Sequence, residues 1–297
     1  MFLPFISFAA IASAIVVNKM VLQQLPLIFY VGFRTLLAGL VLLAISHWRS
    51  RARLHHSYLR ADLVPLLTVA VLTTLVPALL KAYGIKYLVV GKAALIGSLD
   101  PFVTALYAYL LFSERLTLRK WLGIGIAFIG TLGLCFTTSV TEQTLHAFWF
   151  FSWPELAAFG AVVLGRYGWL MAQKLLKAER YSPFELNGIT MVVSGILGLV
   201  GSLLVDGWAF DRLAAPSTLW ALIAYSVLVG NVFGFTAYGF VLKRHSANFA
   251  ALAGFSTPVF ITLFGWLILS EQITASLVLA GAVIFAGVYL FYREEVR

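Results

Sequence analysis

Charge is what this sequence has least of. Only 11% of its 297 residues are Asp, Glu, Lys or Arg. A soluble domain needs about a quarter of its residues charged to cover its surface. This chain cannot cover itself against water, so a soluble globule is excluded. Cysteine is nearly absent as well. Cys135 stands alone inside an apolar run, so no internal disulfide exists to report on redox compartment. The five histidines are scattered, and no His, Cys and carboxylate set has metal-ligand spacing. There is no glycine-rich phosphate loop and no nucleophile elbow. Nothing points to a soluble-type enzyme, a bound metal or a cofactor. The net charge of +9 does not signal nucleic acid. Its basic residues fall in short tracts between apolar runs, as membrane-protein loop charges do, rather than on one solvated face.

What is abundant is apolar length. Mean hydropathy is +0.95 and 61% of residues are hydrophobic. A helix needs about 20 apolar residues to cross the hydrocarbon. Ten runs qualify, at 3–22, 26–48, 62–86, 92–113, 119–137, 153–174, 183–205, 217–242, 246–269 and 275–292. The first opens without a basic region or cleavage site and reads as a retained span. Fourteen basic residues fall in the tracts after spans 2, 4, 6 and 8 and at the C-terminus, against four in the opposite set. The positive-inside rule then puts both termini in the cytoplasm, as an even span count requires.

The chain also repeats itself. A shift of 157 residues lays "LIGSLDPFVTALYAYLLFSERLTLRKWLGIGIAFIGTLGLCF" (95–136) over "LAGFSTPVFITLFGWLILSEQITASLVLAGAVIFAGVYLFYR" (252–293) without a gap. Gly97 meets Gly254, Pro101 meets Pro258, and Ser113–Glu114 meets Ser270–Glu271. Five spans per half is an odd number, so the second half must be inverted. The fold class is therefore all-α integral membrane, ten transmembrane helices as two inverted five-helix repeats. The first repeat covers 1–137, a periplasmic linker 138–152, and the second repeat 153–297. Inverted repeats characterise secondary carriers whose cargo sits near the midplane between the halves.

The stretch "AYGIKYLVVGKAALIGSLDPFVTALYAYLLFSERLTLRKWLGIGIAFIGTLG" and its echo "AYGFVLKRHSANFAALAGFSTPVFITLFGWLILSEQITASLVLAGAVIFAG" resemble the paired EamA domains of the drug/metabolite transporter superfamily. The resemblance implies a ten-helix secondary carrier. It further implies export of amino acids or other small metabolites across a bacterial inner membrane.

Four charges lie deep inside spans, away from their ends: Arg34, Lys81, Asp100 and Arg166. Each costs about 2.5–3.5 kcal/mol at the bilayer centre, so each should face the bundle interior. Asp100 is expected to pair with Lys81 or Arg34. One reading is a buried network that only fixes helix register. The other counts three cations against one carboxylate and assigns the surplus to an anionic or zwitterionic cargo. Asp100 is also a candidate carrier of a coupling proton. Tyr83 and Tyr238, which are repeat mates, and Asn231 join Arg34, Lys81, Asp100 and Arg166 as candidate substrate contacts. Gly97 with Pro101 and Gly254 with Pro258 are candidate helix breaks for gating. Glu114 and Glu271, at opposite surfaces, read as cappers or loop anchors. The cavity is expected between spans 1–4 and 6–9, with spans 5 and 10 as scaffold or dimer contact. The expected partners are a small-molecule substrate and the lipid bilayer, in a monomer or homodimer. Within the same fold, a multidrug exporter or a nucleotide-like metabolite importer are the alternatives. An intramembrane lipid-modifying enzyme would need a nucleophile or metal cluster at one surface, and none is visible.

Overall fold

The computed structural model of the chain describes residues 3–50, 62–112, 117–135, 147–148, 151–213, 216–244, 254 and 256–292. The first repeat comprises α1 (Leu3–Leu22), α2 (Leu27–Ser50), α3 (Leu63–Tyr87), α4 (Val90–Gly97), α5 (Asp100–Phe112) and α6 (Leu118–Cys135). The second comprises α7 (Trp153–Lys177), α8 (Pro183–Val205), α9 (Ser217–Arg244), α10 (Ser256–Leu269) and α11 (Ala275–Tyr292). With α4 and α5 as halves of one passage, these are the ten expected spans. A two-residue β-hairpin, β1 (Ala147–Phe148) with β2 (Phe151–Ser152), precedes α7. Most of the expected linker, and Glu114, lie outside the described residues. α1, α2, α3, α8 and α9 are each long and apolar enough to cross a membrane.

Local chemistry sets the ends. α7 and α8 both open with Ser, X or Pro, and Glu. Ser152 and Ser182 are N-caps, and Glu155 and Glu185 reach back to the cap nitrogens at 2.6 and 2.8 Å. The Gly97–Pro101 segment breaks its span as expected. α4 stops at Gly97, Ser98 and Leu99 turn, and α5 starts at Asp100. Ser98 N–H donates to the Leu95 carbonyl at 3.1 Å, a tightened last turn. In the second half Gly254 is helical and Pro258 lies in the first turn of α10, but Phe255 is outside the described residues.

The packing has a two-fold logic. α1 lies against α9 and α10, while its repeat mate α7 lies against α3 and α4–α5. The mates α2 and α8 pack on each other, as do the mates α6 and α11. Exchanging the halves therefore reproduces the contact pattern. The two self-paired seams are backbone-close. A Cβ added to Gly32 would sit 2.7 Å from the Leu199 nitrogen, and one on Gly287 would sit 2.6 Å from the Gly123 carbonyl oxygen. Small residues let helices approach in this way where apolar surroundings give no hydrophobic drive.

Both third passages carry a π-helical stretch, Ala70–Leu75 in α3 and Ser226–Phe235 in α9. Such stretches are rare and frequently mark functional sites. In α3, Pro77 lies just downstream and denies the helix a donor. α8 braces both. Its Ser194 hydroxyl lies 2.7 Å from the Ala70 carbonyl oxygen, and Asn187 Nδ2 donates to the Phe235 carbonyl at 3.1 Å. Ser194→Ala is expected to cost about 1 kcal/mol of stability. A thermal melt of the purified protein reads this, and an unchanged midpoint would remove the bracing role.

Candidate functional site

A cavity of about 280 Å³ opens between the repeats. α1, α2, α3, the α4–α5 break, α7, α9 and α10 all contribute to its lining. α8, the seventh span, does not, which corrects the expected set. Its close seam with α2 and its bracing of the π stretches occupy its inward face.

One pole of the cavity is cationic. Arg34 reaches from α2 across to α9, where its Nη1 donates to Ser226 Oγ at 3.4 Å. Its guanidinium also lies 5.3 Å from the centre of the Tyr30 ring. Asn18 on α1 fixes both supports, since its Oδ1 accepts from the Tyr30 hydroxyl at 2.6 Å and from the Ser226 hydroxyl. Arg34 Nε is buried and has no hydrogen-bond partner among the described residues. Lys81, on α3, is exposed to the cavity and close enough to Arg34 for their charges to interact. Among the described residues neither cation forms an ion pair.

Asp100 pairs elsewhere. Its partner is Arg166 on α7, not Lys81 or Arg34 as expected. Arg166 Nε donates to Oδ1 at 2.9 Å, and Nη2 meets Oδ2 to complete a two-pronged contact. The helix break explains the choice. It places Asp100 in the first turn of α5, where a carboxylate is favoured, and α5 packs on α7. Arg166 Nη1 continues to the Tyr238 hydroxyl at 3.3 Å. The arginine side chain is 2% exposed and the aspartate 36%. With this pair neutral, Arg34 and Lys81 leave the cavity two positive charges in surplus among the described residues.

The other pole is aromatic. Phe8, Trp169, Phe235 and Tyr238 line it, with Trp169 set edge-on to Tyr238 at 4.8 Å and Phe8 edge-on to the same ring at 5.5 Å. Asn231 lines the wall on one π stretch. Thr73 lines it on the other, with a buried hydroxyl that has no partner among the described residues. Gly97, Gly254 and Pro258 also reach the cavity. Pro101 holds the second position of α5. Tyr83 is placed elsewhere. Two residues past Lys81 on a helix is the far side of the turn, and its ring packs edge-on against Tyr87 at 5.0 Å.

Ion pairs tie the helix ends at both membrane faces. At the face where α1 ends, Lys19 Nζ contacts Glu271 Oε1 and the Leu88 carbonyl, each at 2.7 Å. Glu271 Oε2 accepts the first amide of α4, Val90 N–H, at 2.9 Å. Ser270 adopts a left-handed φ of 54°, and Glu271 N–H returns to the Gly265 carbonyl. The repeated Ser-Glu thus closes one helix and caps another, as expected of Glu271. Lys92 and Glu155 form a second, buried pair at 2.7 Å between α4 and α7. At the face where α1 begins, Asp62 holds Arg180 at 2.7 Å and accepts from the Tyr181 hydroxyl at 3.3 Å. Burial first, and the Asp62 carboxylate second, push that hydroxyl up to about 12, so it stays a donor at physiological pH. Sequence reasoning missed Asn18 and both π stretches. It missed the Lys92–Glu155 pair as well. Among the described residues no group of His, Cys, Asp and Glu has metal-site geometry.

Residues 1–136 and 152–293 each match the EamA-like transporter family. A Chlamydia trachomatis protein named as an S-adenosylmethionine/S-adenosylhomocysteine transporter is 26% identical, over 100% of this chain and 90% of its own length. A Chlamydia muridarum protein of the same name is 26% identical over 92% of its length. YoaV of Bacillus subtilis, named an uncharacterized transporter, is 23% identical over 95% of this chain and 94% of its own. A solved crystal structure superposes with a TM-score of 0.68 at 16% identity, covering 97% of this chain and 95% of that one, which is a likeness of fold.

Proposed function

The chain belongs to the EamA-like transporter family, and from that premise we propose that it carries a small metabolite bearing a carboxylate. One observation carries the reading: Arg34 and Lys81 share a cavity between inverted repeats with no acidic partner among the described residues. A buried guanidinium nitrogen without a partner is costly, as at Arg34 Nε, and a bound anion relieves that cost while drawing on the Lys81 charge exposed beside it. Arg34 offers a fork for a carboxylate and Lys81 a point charge beside it. Asn231, Tyr238, Asp100 and Arg166 shape the rest of the wall, and the Gly97–Pro101 break is a point of flexure.

Transport proceeds by alternating access, each half rocking against the other around the shared site. The loop charges support cytoplasmic termini, and the resemblance supports export across a bacterial inner membrane. The names of the chlamydial relatives support the carboxylate, because S-adenosylmethionine and S-adenosylhomocysteine both end in an amino-acid group. Counterflow in proteoliposomes tests the reading. Carboxylate metabolites are expected to compete for a preloaded tracer at least tenfold better than their carboxamide analogues, as a charge-assisted hydrogen bond is worth about 1.5–3 kcal/mol. Equal competition by acid and amide would remove the anion site.

A further inference from the structure

We propose that Trp169 and Phe235, with Tyr238 and Phe8 packed behind them, form a second subsite that takes a planar heteroaromatic ring. The cargo is then an amino acid whose ring hangs several atoms away from its carboxylate. This rests on the anion reading above and extends it.

The two poles are fixed to one helix. Ser226 supports Arg34 at one end of the α9 π stretch, and Phe235 closes the other end. Nine residue steps would span about 13 Å at the α-helical rise, and the π form, with more residues per turn, makes the distance shorter. The Ser226 contact holds the Arg34 guanidinium at its own end of that gap, so a cargo that touches both poles needs a spacer. Tryptophan and phenylalanine carry their rings one carbon from Cα, so each would satisfy one pole and leave the other empty. A longer molecule satisfies both at once.

The aromatic pole is prepared for a ring. Tyr238 is clamped by Phe8, Trp169 and the Arg166 hydrogen bond, so it does not turn to close the pocket. Trp169 is half-buried and keeps part of its surface in the cavity. Beside it Asp100, held by Arg166, is 36% exposed and keeps lone pairs for a ring N–H donor. Open space adjoins Gly97, where an added Cβ meets no atom within 4 Å. A stacking wall, an edge acceptor and open space together suit an amino-substituted heterocycle such as a purine, and no single one of them would.

The test uses the purified full chain in nanodiscs with tritiated S-adenosylhomocysteine as probe. Methionine, adenosine and tryptophan supply the carboxylate alone, the ring alone and a short link. The unlabelled probe is expected to displace at no more than one-tenth the concentration of any of the three. Trp169→Ala is expected to narrow the ratio between probe and methionine about tenfold, the value of one stacking contact. Trp169→Phe should restore most of it. Phe235→Ala, read the same way, serves if Trp169→Ala does not yield folded protein. A wild-type ratio near one, or a ratio that neither alanine variant moves, overturns the subsite. Equal binding of the probe and its carboxamide would instead overturn the anion pole and leave the ring subsite standing.

Discussion

Glutamine at both Arg34 and Lys81 is expected to lower transport of the carboxylate cargo about 100- to 1000-fold. The magnitude comes from two charge-assisted contacts of about 1.5–3 kcal/mol each, taken as partly non-additive. The companion measurement is stability, and its sign separates two readings. If the two cations served only to fix helix register, their removal would loosen the bundle and lower the melting temperature. If they wait for an anion, the empty protein bears their cost. Arg34 Nε is buried without a partner, and Lys81 meets no carboxylate among the described residues. Neutral glutamines then leave the melting temperature of the unliganded protein level or raise it, while flux collapses. A site kept at the expense of stability is a common trade where function needs it. Loss of stability together with flux, or flux that survives, would defeat the ligand reading.

Much of the architecture was legible because hydrocarbon imposes a length. The run read at 119–137 folds as α6, Leu118–Cys135, and the run at 183–205 folds as α8 with those ends. Inversion followed from an odd number of passages per half, and the exchanged contacts of α1 and α7 show the two-fold relation between the halves. The break at Gly97–Pro101 was legible because proline and glycine act on the backbone locally. That the intramembrane charges face inward follows from the price of a charge in lipid.

Azimuth was what stayed hidden. Which carboxylate meets which cation depends on how each helix is rotated about its axis, and no single helix carries that information. Asp100 therefore found Arg166, brought to it by the start of α5. Tyr83 matched Tyr238 in the repeat but turned away from the cavity. Asn18 left no signal, as one amide in a long apolar run reads like any packing group. The π stretches have no periodicity of their own. The nearest hints were Pro77 in one half and the Gly230–Gly234 spacing in the other. That glycine pair also does what small residues at such spacing are expected to do, since added Cβ atoms would meet Ala14 and Ile11 of α1 at 2.6 and 2.7 Å.

Removing either partner of the Asp100–Arg166 pair is expected to destabilise the protein, but not equally. Breaking a buried pair costs about 3–5 kcal/mol because it strands a charge. Asp100→Ala strands Arg166, whose side chain is 2% exposed, so its cost should approach that range. Arg166→Ala strands Asp100, which is 36% exposed and can be hydrated from the cavity, so its cost should be clearly smaller. The double variant strands neither charge and should recover most of what Asp100→Ala loses, leaving chiefly the packing lost from the guanidinium stem and the freed Tyr238 hydroxyl. Unfolding of the four proteins in one detergent, read as a double-mutant cycle, measures all three terms. Additive losses would mean that the two side chains act independently. Equal single losses would mean that Asp100 is as dry as its partner, and that the cavity does not reach it. The predicted order, with Asp100→Ala worst, Arg166→Ala intermediate and the double close behind it, requires the carboxylate to present its free face to the space where a cargo ring would lie.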